Sequence, residues 1–329
     1  MRYIIYGAGG IGGTIGARLH LAGFDVVLIA RGEHGEVLRR RGLEFITVDG
    51  RQILRIPVVE TPAELDIDPN DAVILCMKTQ HTQPALETLT QCLNPASQNA
   101  QHIVCAQNGV ANETMTLRLF ENVYGMLVNL PAMFLEPGQV ITHSEGHGGV
   151  LDTGRFPHGV DDWCMDFTAA LCRAGFSADP APKIMRQKYA KLLTNLGNAL
   201  QALLGDGVDI KELSRQLKKE AVACYEKAGI DCATADETHA RFESIYKTGT
   251  IEGIPRSGGS SWQSMARGTG NIETDYLNGE IVLLGRTHGV ATPANAAVQK
   301  MAHQMINEGK GLGAYSLDQI LAEINKETT

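Results

Sequence analysis

Two sets of residues in this chain have types and spacings that could do chemistry. The first is Gly7-Ala8-Gly9-Gly10-Ile11-Gly12, a G-x-G-x-x-G run. Glycine permits a tight turn at Gly7, lets a pyrophosphate approach the backbone at Gly9, and lets a following helix pack on the preceding strand at Gly12. The free N–H groups and positive dipole end of that helix would face the phosphates. Arg31 ends the next apolar run, about 20 residues on, where an NAD site places Asp or Glu for the ribose 2′-hydroxyl. A guanidinium there suits a 2′-phosphate by charge and by its forked donors, so the two features together read as an NADP(H) site.

The second set lies in residues 184–200, where Lys188, Lys191, Asn195 and Asn198 recur at spacings of three and four. On a helical wheel they form a narrow stripe, and Met185, Tyr189, Leu192, Leu193, Leu196 and Leu200 cover most of the rest. Such a helix is either core with a solvated edge or one wall of a polar cleft, and the helix alone leaves both readings open. Further on come Ser260-Ser261-Trp262 and Glu273-Thr274-Asp275, then Asn278-Gly279 inside a helical pattern, which suggests close packing at that glycine. His288-Gly289 to Thr292-Pro293 reads as a glycine stop, a threonine N-cap and a proline at the first helical position.

The elements that must position these residues follow from the apolar pattern. Residues 3–6 form a β-rich run, Ile11, Ile15, Leu19 and Ala22 recur at helical spacing until Gly23, and residues 26–29 form a second run. That is a βαβ unit with the glycines between strand and helix. A short helix is expected over 36–41, then a hairpin whose arms, 43–48 and 53–59, flank Asp49-Gly50. Buried strands over 71–77 and 102–106 end at Lys78 and at Gln107-Asn108-Gly109, with a helix over 82–92 between them. The glycine loop, Lys78 and Asn108 therefore share the carboxyl edge of an open α/β sheet, where ligands bind.

Residues 124–134, 139–143 and 148–152 read as antiparallel additions, followed by a helix over 161–174. Asp179-Pro180-Ala181-Pro182 is the best linker, because prolines disfavour helix there. Residues 183–308 read as helical with no strand, and Leu317, Ile320, Leu321 and Ile324 make the tail amphipathic. The expectation is a Rossmann-type dinucleotide-binding domain over 1–180 and an all-α substrate and catalytic domain over 183–329.

Composition sets the outer bounds. With 43% hydrophobic and 20% charged residues the chain reads as an ordinary soluble globular protein. No apolar run approaches the ~18–20 residues of a membrane span, and no secretory leader is expected. A dispersed net charge of −8 speaks against nucleic acid. The seven cysteines contain no C-x-x-C pair, which reads as cytoplasmic usage with neither a disulfide framework nor a zinc knuckle. His143, His147 and His158 lie in turn-like sequence without convincing ligand spacing, so no metal is expected.

In order and spacing, Gly7–Gly12, Ala30-Arg31-Gly32-Glu33-His34, Lys78, Gln107-Asn108-Gly109, Lys191-Leu192-x-x-Asn195, Ser261, Glu273-x-Asp275-x-x-Asn278-Gly279 and His288-Gly-x-Ala-Thr-Pro resemble the ketopantoate reductase (2-dehydropantoate 2-reductase) family, over roughly residues 1–300. The resemblance implies NADPH-dependent reduction of a small 2-oxo acid, above all 2-dehydropantoate to pantoate in pantothenate biosynthesis, in a cleft between the two domains. It assigns proton donation to Lys191, with Glu273 holding that lysine or a substrate hydroxyl. It gives Asn108, Asn195 and Ser261 to the substrate, and Asn198, one step before the position relatives use, could take the same role only with a one-residue change of helix register. To the cofactor it gives Gly7, Ala8, Gly9, Gly10, Ile11, Gly12, Arg31, Lys78, Asn108 and Glu273. It leaves a homodimer open.

Two positions depart from the family pattern. Residues 269–273 read Thr-Gly-Asn-Ile-Glu where many relatives have G-R-x-T-E, and Ala199 stands where relatives often carry a second substrate asparagine. A sibling acting on another 2-oxo acid therefore stays open. So does a non-catalytic NADP(H) sensor, against which stands the presence of Lys191 and Glu273 together.

Overall fold

The computed structural model describes all residues except 206, 243, 244, 256, 257, 269–271 and 329. By packing, the chain divides into two compact units, Met1–Lys188 with Thr234–Arg256, and Tyr189–Ala233 with Ser257–Thr329.

The first unit begins with β1 (Tyr3–Tyr6), α1 (Gly10–Leu21) and β2 (Val26–Ile29), then α2 (Gly32–Arg41), the hairpin β3 (Leu43–Thr47) and β4 (Gly50–Leu54), and β5 (Val58–Val59). It continues through β6 (Ala72–Leu75), α3 (Thr82–Gln91), α4 (Pro95–Ala100), β7 (His102–Cys105), α5 (Asn112–Leu117) and β8 (Asn122–Met126). Then come β9 (Ala132–Met133), β10 (Gln139–Thr142), β11 (Ser144–Gly146), β12 (Thr153–Arg155) and α6 (Asp162–Arg173), and α7 (Ile184–Asn195) follows.

Seven strands lie in the order β12-β8-β7-β6-β1-β2-β5, parallel except for β12. Alternation along β1 sends Tyr3 and Ile5 into one core and Ile4 and Tyr6 into the other. Both faces are covered, so the strands read as unbroken apolar runs. A second sheet, β4-β3-β10-β9, flanks α1.

Several expectations need correction here. β8 pairs parallel with β7 and extends the main sheet, whereas the sequence reading made that segment an antiparallel addition. Its crossover is α5, too short to show a clear helical period. The second hairpin arm splits, because the chain leaves β4 and lays Val58 and Val59 parallel to β2. α2 starts at Gly32, ahead of the expected start, since Gly35 sits hard against the Ala30 carbonyl where a side chain would collide.

The helix read over 184–200 is two helices, α7 and α8 (Asn198–Leu204), so Asn198 does not continue the α7 stripe. The Asn278 carboxamide donates to the Leu196 carbonyl at 3.1 Å, taking an acceptor the helical ladder would have used. A side chain inserted in this way breaks a helix, and Gly197 next to it resists little.

After α9 (Lys211–Ala228), the chain returns to the first unit with α10 (Ala235–Phe242) and β13 (Tyr246–Thr248), which pairs antiparallel with β11. This strand lies in the stretch read as wholly helical. Arg241 is what ties the excursion down: its Nε donates to Asp152 at 2.8 Å and its NH1 to Ser177 at 3.0 Å. Arg186 and Glu237 add a two-point ion pair at 2.8 Å.

The second unit resumes with α11 (Ser260–Ala266), α12 (Asn278–His288), α13 (Pro293–Asn307) and α14 (Leu317–Thr328). Its centre holds a buried polar network. Asn295 donates to the Leu217 carbonyl and to Glu220, and Glu220 accepts the first N–H groups of α13, from Ala294 at 2.8 Å and Asn295 at 3.0 Å. Thr292 occupies the N-cap position ahead of Pro293, but its side chain makes no cap bond, because the carboxylate from α9 does that work. Gly279 is tightly packed, as its sequence context suggested, with an added Cβ 2.6 Å from Gln299. The tail helix α14 packs on α13 through buried Ile320 and Ile324.

Candidate active site

In the first unit the glycine loop joins β1 to α1. Gly7 has φ +103°, and a Cβ there would lie 2.9 Å from the Met77 nitrogen. A Cβ on Gly12 would meet Ile5 Cγ2 at 2.8 Å, Cys76 Cβ at 2.9 Å and the Gly7 carbonyl. The first N–H groups of a helix have no intrahelical partner, and no side chain caps α1, so they are available to an anion.

His34 holds the loop from outside. Its Nδ1 accepts from the Gly138 N–H at 2.9 Å, so the proton sits on Nε2, which donates to the Ala8 carbonyl at 2.8 Å. Arg31, the N-cap residue of α2, is exposed and makes no ion pair among the described residues. A bare helix N-terminus beside Gly7 and Gly12, where a side chain would collide, with a guanidinium after β2 that makes no ion pair among the described residues, fits a dinucleotide. The depression of about 320 Å³ lined by Arg18, Thr47, Asp49, Gln52 and Arg173 lies elsewhere, at the far end of α1 from this loop.

Lys78 precedes the 3₁₀ turn Thr79–His81 after β6, and Asn108 follows β7. A buried network ties these two loops together. Gln107 donates to the Thr82 hydroxyl at 2.7 Å, Thr82 donates to Asn112 Oδ1 at 2.8 Å, and Asn112 Nδ2 reaches Thr79 at 3.1 Å and the Asn108 carbonyl at 3.3 Å. Beneath it Lys188 Nζ lies 2.6 Å from Glu113 and donates to the Gln107 carbonyl at 2.9 Å and the Met126 carbonyl at 3.2 Å. Sequence reasoning placed Lys188 on a polar stripe and passed over Thr82, Asn112 and Glu113. The one available signal was a lysine among Ile184, Met185 and Leu192, and it named no partner.

In the second unit Lys191 Nζ donates to Thr194 Oγ1 and Asn195 Oδ1, both at 3.4 Å. Asn195 is 5% exposed and its Nδ2 has no hydrogen-bond partner among the described residues. Ser261, on α11, is 1% exposed, and its hydroxyl likewise has no partner among the described residues. Asn198 faces the turn before α11, where a Cβ on Gly259 would lie 3.0 Å from its Oδ1. Gln201 accepts the Gly259 N–H at 2.8 Å. Glu273 is buried immediately before the 3₁₀ turn Thr274–Tyr276. Asp275 is engaged structurally, by Gln299 and His303 of α13, each at 2.7 Å. Of the divergent 269–273 stretch, Thr269, Gly270 and Asn271 lie outside the described residues. His143 bonds the Gly249 carbonyl at 3.3 Å through Nδ1, and no grouping of metal-ligand side chains occurs among the described residues.

A parallel sheet with a glycine loop at the head of α1, followed in the chain by a helical unit carrying Lys191 and Asn195, defines a dinucleotide-binding oxidoreductase. Two family models match, Ketopantoate reductase PanE/ApbA over residues 3–157 and Ketopantoate reductase PanE/ApbA C terminal over 183–306. The chain belongs to the ketopantoate reductase family. It is 30% identical to a 2-dehydropantoate 2-reductase of Mesorhizobium japonicum, covering 96% of this chain and 100% of the relative. Among solved structures, a PanE/ApbA family ketopantoate reductase from Ralstonia eutropha superposes with a TM-score of 0.76 at 26% identity, covering 94% and 99% of the two chains. A D-mandelate dehydrogenase solved with NADH and anilino(oxo)acetate shares the fold, with a TM-score of 0.78 at 23% identity and the same coverage.

Proposed function

We propose that this enzyme reduces a 2-oxo acid to the 2-hydroxy acid with NADPH, and that the substrate is 2-dehydropantoate, the substrate its named relatives share. The observation that carries this reading is the Lys191–Asn195 pair, a cation beside a buried carboxamide whose N–H₂ has no hydrogen-bond partner among the described residues. A buried donor left unpaired costs roughly 1–3 kcal/mol, and a bound oxo acid would remove that cost.

The nicotinamide, when bound, supplies the hydride to the keto carbon. As the carbonyl π pair moves onto oxygen, Lys191 would stabilise the growing charge and pass its proton to that oxygen, then recover one from water. Asn195, Asn108 and Ser261 would orient the carboxylate and keto group, with Glu273 aligning Lys191 or a substrate hydroxyl. Arg31 would take the 2′-phosphate, and Lys78 the dinucleotide at the sheet edge.

A second reading, a sibling acting on a different 2-oxo acid, rests on Ala199. It is buried at 2% exposure and offers no polar group. One experiment addresses both: loss of NADPH absorbance with 2-dehydropantoate beside a panel of other 2-oxo acids. Turnover of 2-dehydropantoate supports the first reading, and turnover only of another acid supports the second. No turnover of any acid, with NADPH still bound tightly, would refute both and return the sensor.

A further inference from the structure

We infer that Lys188 and Glu113 form a positioning pair that aims the Asn108 peptide. The inference rests on the oxo acid reductase reading above, because it is that reading which gives Asn108 its role.

The pair is fully desolvated, with side chains 2% and 0% exposed and Nζ 2.6 Å from the carboxylate. It is also closely fitted: a Cβ on Gly125 would stand 3.3 Å from Glu113 Oε1 and 3.4 Å from Lys188 Cδ. A buried ion pair is poor value for stability alone, since well-packed apolar residues commonly do as well. What an apolar pair could not do is donate hydrogen bonds. Lys188 meets Glu113 by charge, and its N–H groups reach the carbonyls of Gln107 and Met126 and, at 3.5 Å, that of Cys105. These carbonyls lie at the end of β7 or just past it and at the end of β8, where the parallel ladder runs out.

The Gln107 carbonyl belongs to the peptide that carries the Asn108 nitrogen. The next peptide is held through its own oxygen, which accepts from Asn112 Nδ2 at 3.3 Å. Both peptide planes flanking Asn108 are therefore fixed, while its carboxamide makes no hydrogen bond among the described residues. Gly109, at φ +80°, then turns the chain away. Glu113 holds the lysine in place, and the lysine fixes the peptide.

The test is a double-mutant cycle. Lys188→Met/Glu113→Gln removes both charges at nearly constant volume, and Asn108→Ala removes the group being aimed. The neutralised pair is expected to melt within a few degrees of wild type yet lose about tenfold or more in kcat/KM, with NADPH affinity also reduced. In the Asn108→Ala background the same change should cost almost nothing further, because both lesions act through one peptide. Full recovery of kcat/KM along with the melting temperature, or effects that simply add, would overturn the inference. If the double variant does not fold, Glu113→Gln alone is put through the same cycle, with a smaller non-additive loss expected and additivity again overturning it. If wild type reduces no oxo acid, the functional reading has failed, and the cycle read in NADPH dissociation constants still judges the pair.

Discussion

Lys191 Nζ sits 3.4 Å from the Oδ1 of Asn195, one helical turn on, and the buried Nδ2 of that same carboxamide has no hydrogen-bond partner among the described residues. In the proposed reaction the lysine would orient the amide so that its N–H₂ faces the oxo acid. Lys191→Ala is expected to reduce kcat about 10²–10⁴-fold, the usual worth of a positioned acid. NADPH binding, measured by fluorescence, should stay near wild type. Near wild-type turnover in this variant would sink the mechanism.

Arg31 is an exposed N-cap guanidinium with no ion pair among the described residues, so its removal should disturb the fold little. Charged hydrogen bonds contribute about 1.5–3 kcal/mol, which corresponds to a rise of roughly tenfold or more in the NADPH dissociation constant for Arg31→Ala. NADH affinity should be almost unchanged. Equal weakening of both nucleotides would show that Arg31 does not meet the 2′-phosphate.

Gly12 and Gly10 differ in the space around them. A methyl on Gly12 runs into Ile5 and Cys76 at under 3.0 Å, whereas one on Gly10 finds its nearest neighbour at 3.6 Å. Overpacking costs about 1–3 kcal/mol, so Gly12→Ala should lower the melting temperature by several degrees and displace the loop. Gly10→Ala should melt like wild type. Indistinguishable melting curves for the two variants would contradict this account.

Asp161 caps α6 by accepting the Cys164 N–H at 2.8 Å, and it also accepts from Tyr124 at 2.9 Å and from Arg155 at 2.8 Å. Burial alone would raise its pKa, but these three donors outweigh burial and hold it below the ordinary carboxylate value. A carboxyl held low in the folded state stabilises that state above its unfolded pKa of about 3.9, and the contribution fades as pH falls through the folded value. Asp161→Asn retains an acceptor for the cap but loses the charge. It should melt a few degrees below wild type at neutral pH, with the gap closing in acid. A gap that stayed constant on acidification would exclude the charge as its cause.

The βαβ unit was legible because its signals are local. Four apolar residues, a glycine turn and a helical period fall within a span where chain neighbours decide conformation, and β1 and β2 lie where the pattern put them. The loops bearing Lys78 and Asn108 were legible for a related reason, since a parallel strand announces its own end. Family membership was legible too, because separated motifs kept their order.

Tertiary structure decided the rest. The direction of β8 depends on a crossover too short to show periodicity. The break between α7 and α8 comes from Asn278, far along the chain, reaching into the helix to take the Leu196 carbonyl. Lys188 and Asn198 looked alike on a helical wheel, yet one is buried against Glu113 and the other faces the Gly259 turn. A single sequence records which groups can donate and accept, but which donor meets which acceptor is set by packing between distant segments. In a dry interior the cost of leaving any of them unpaired is what holds those choices in place.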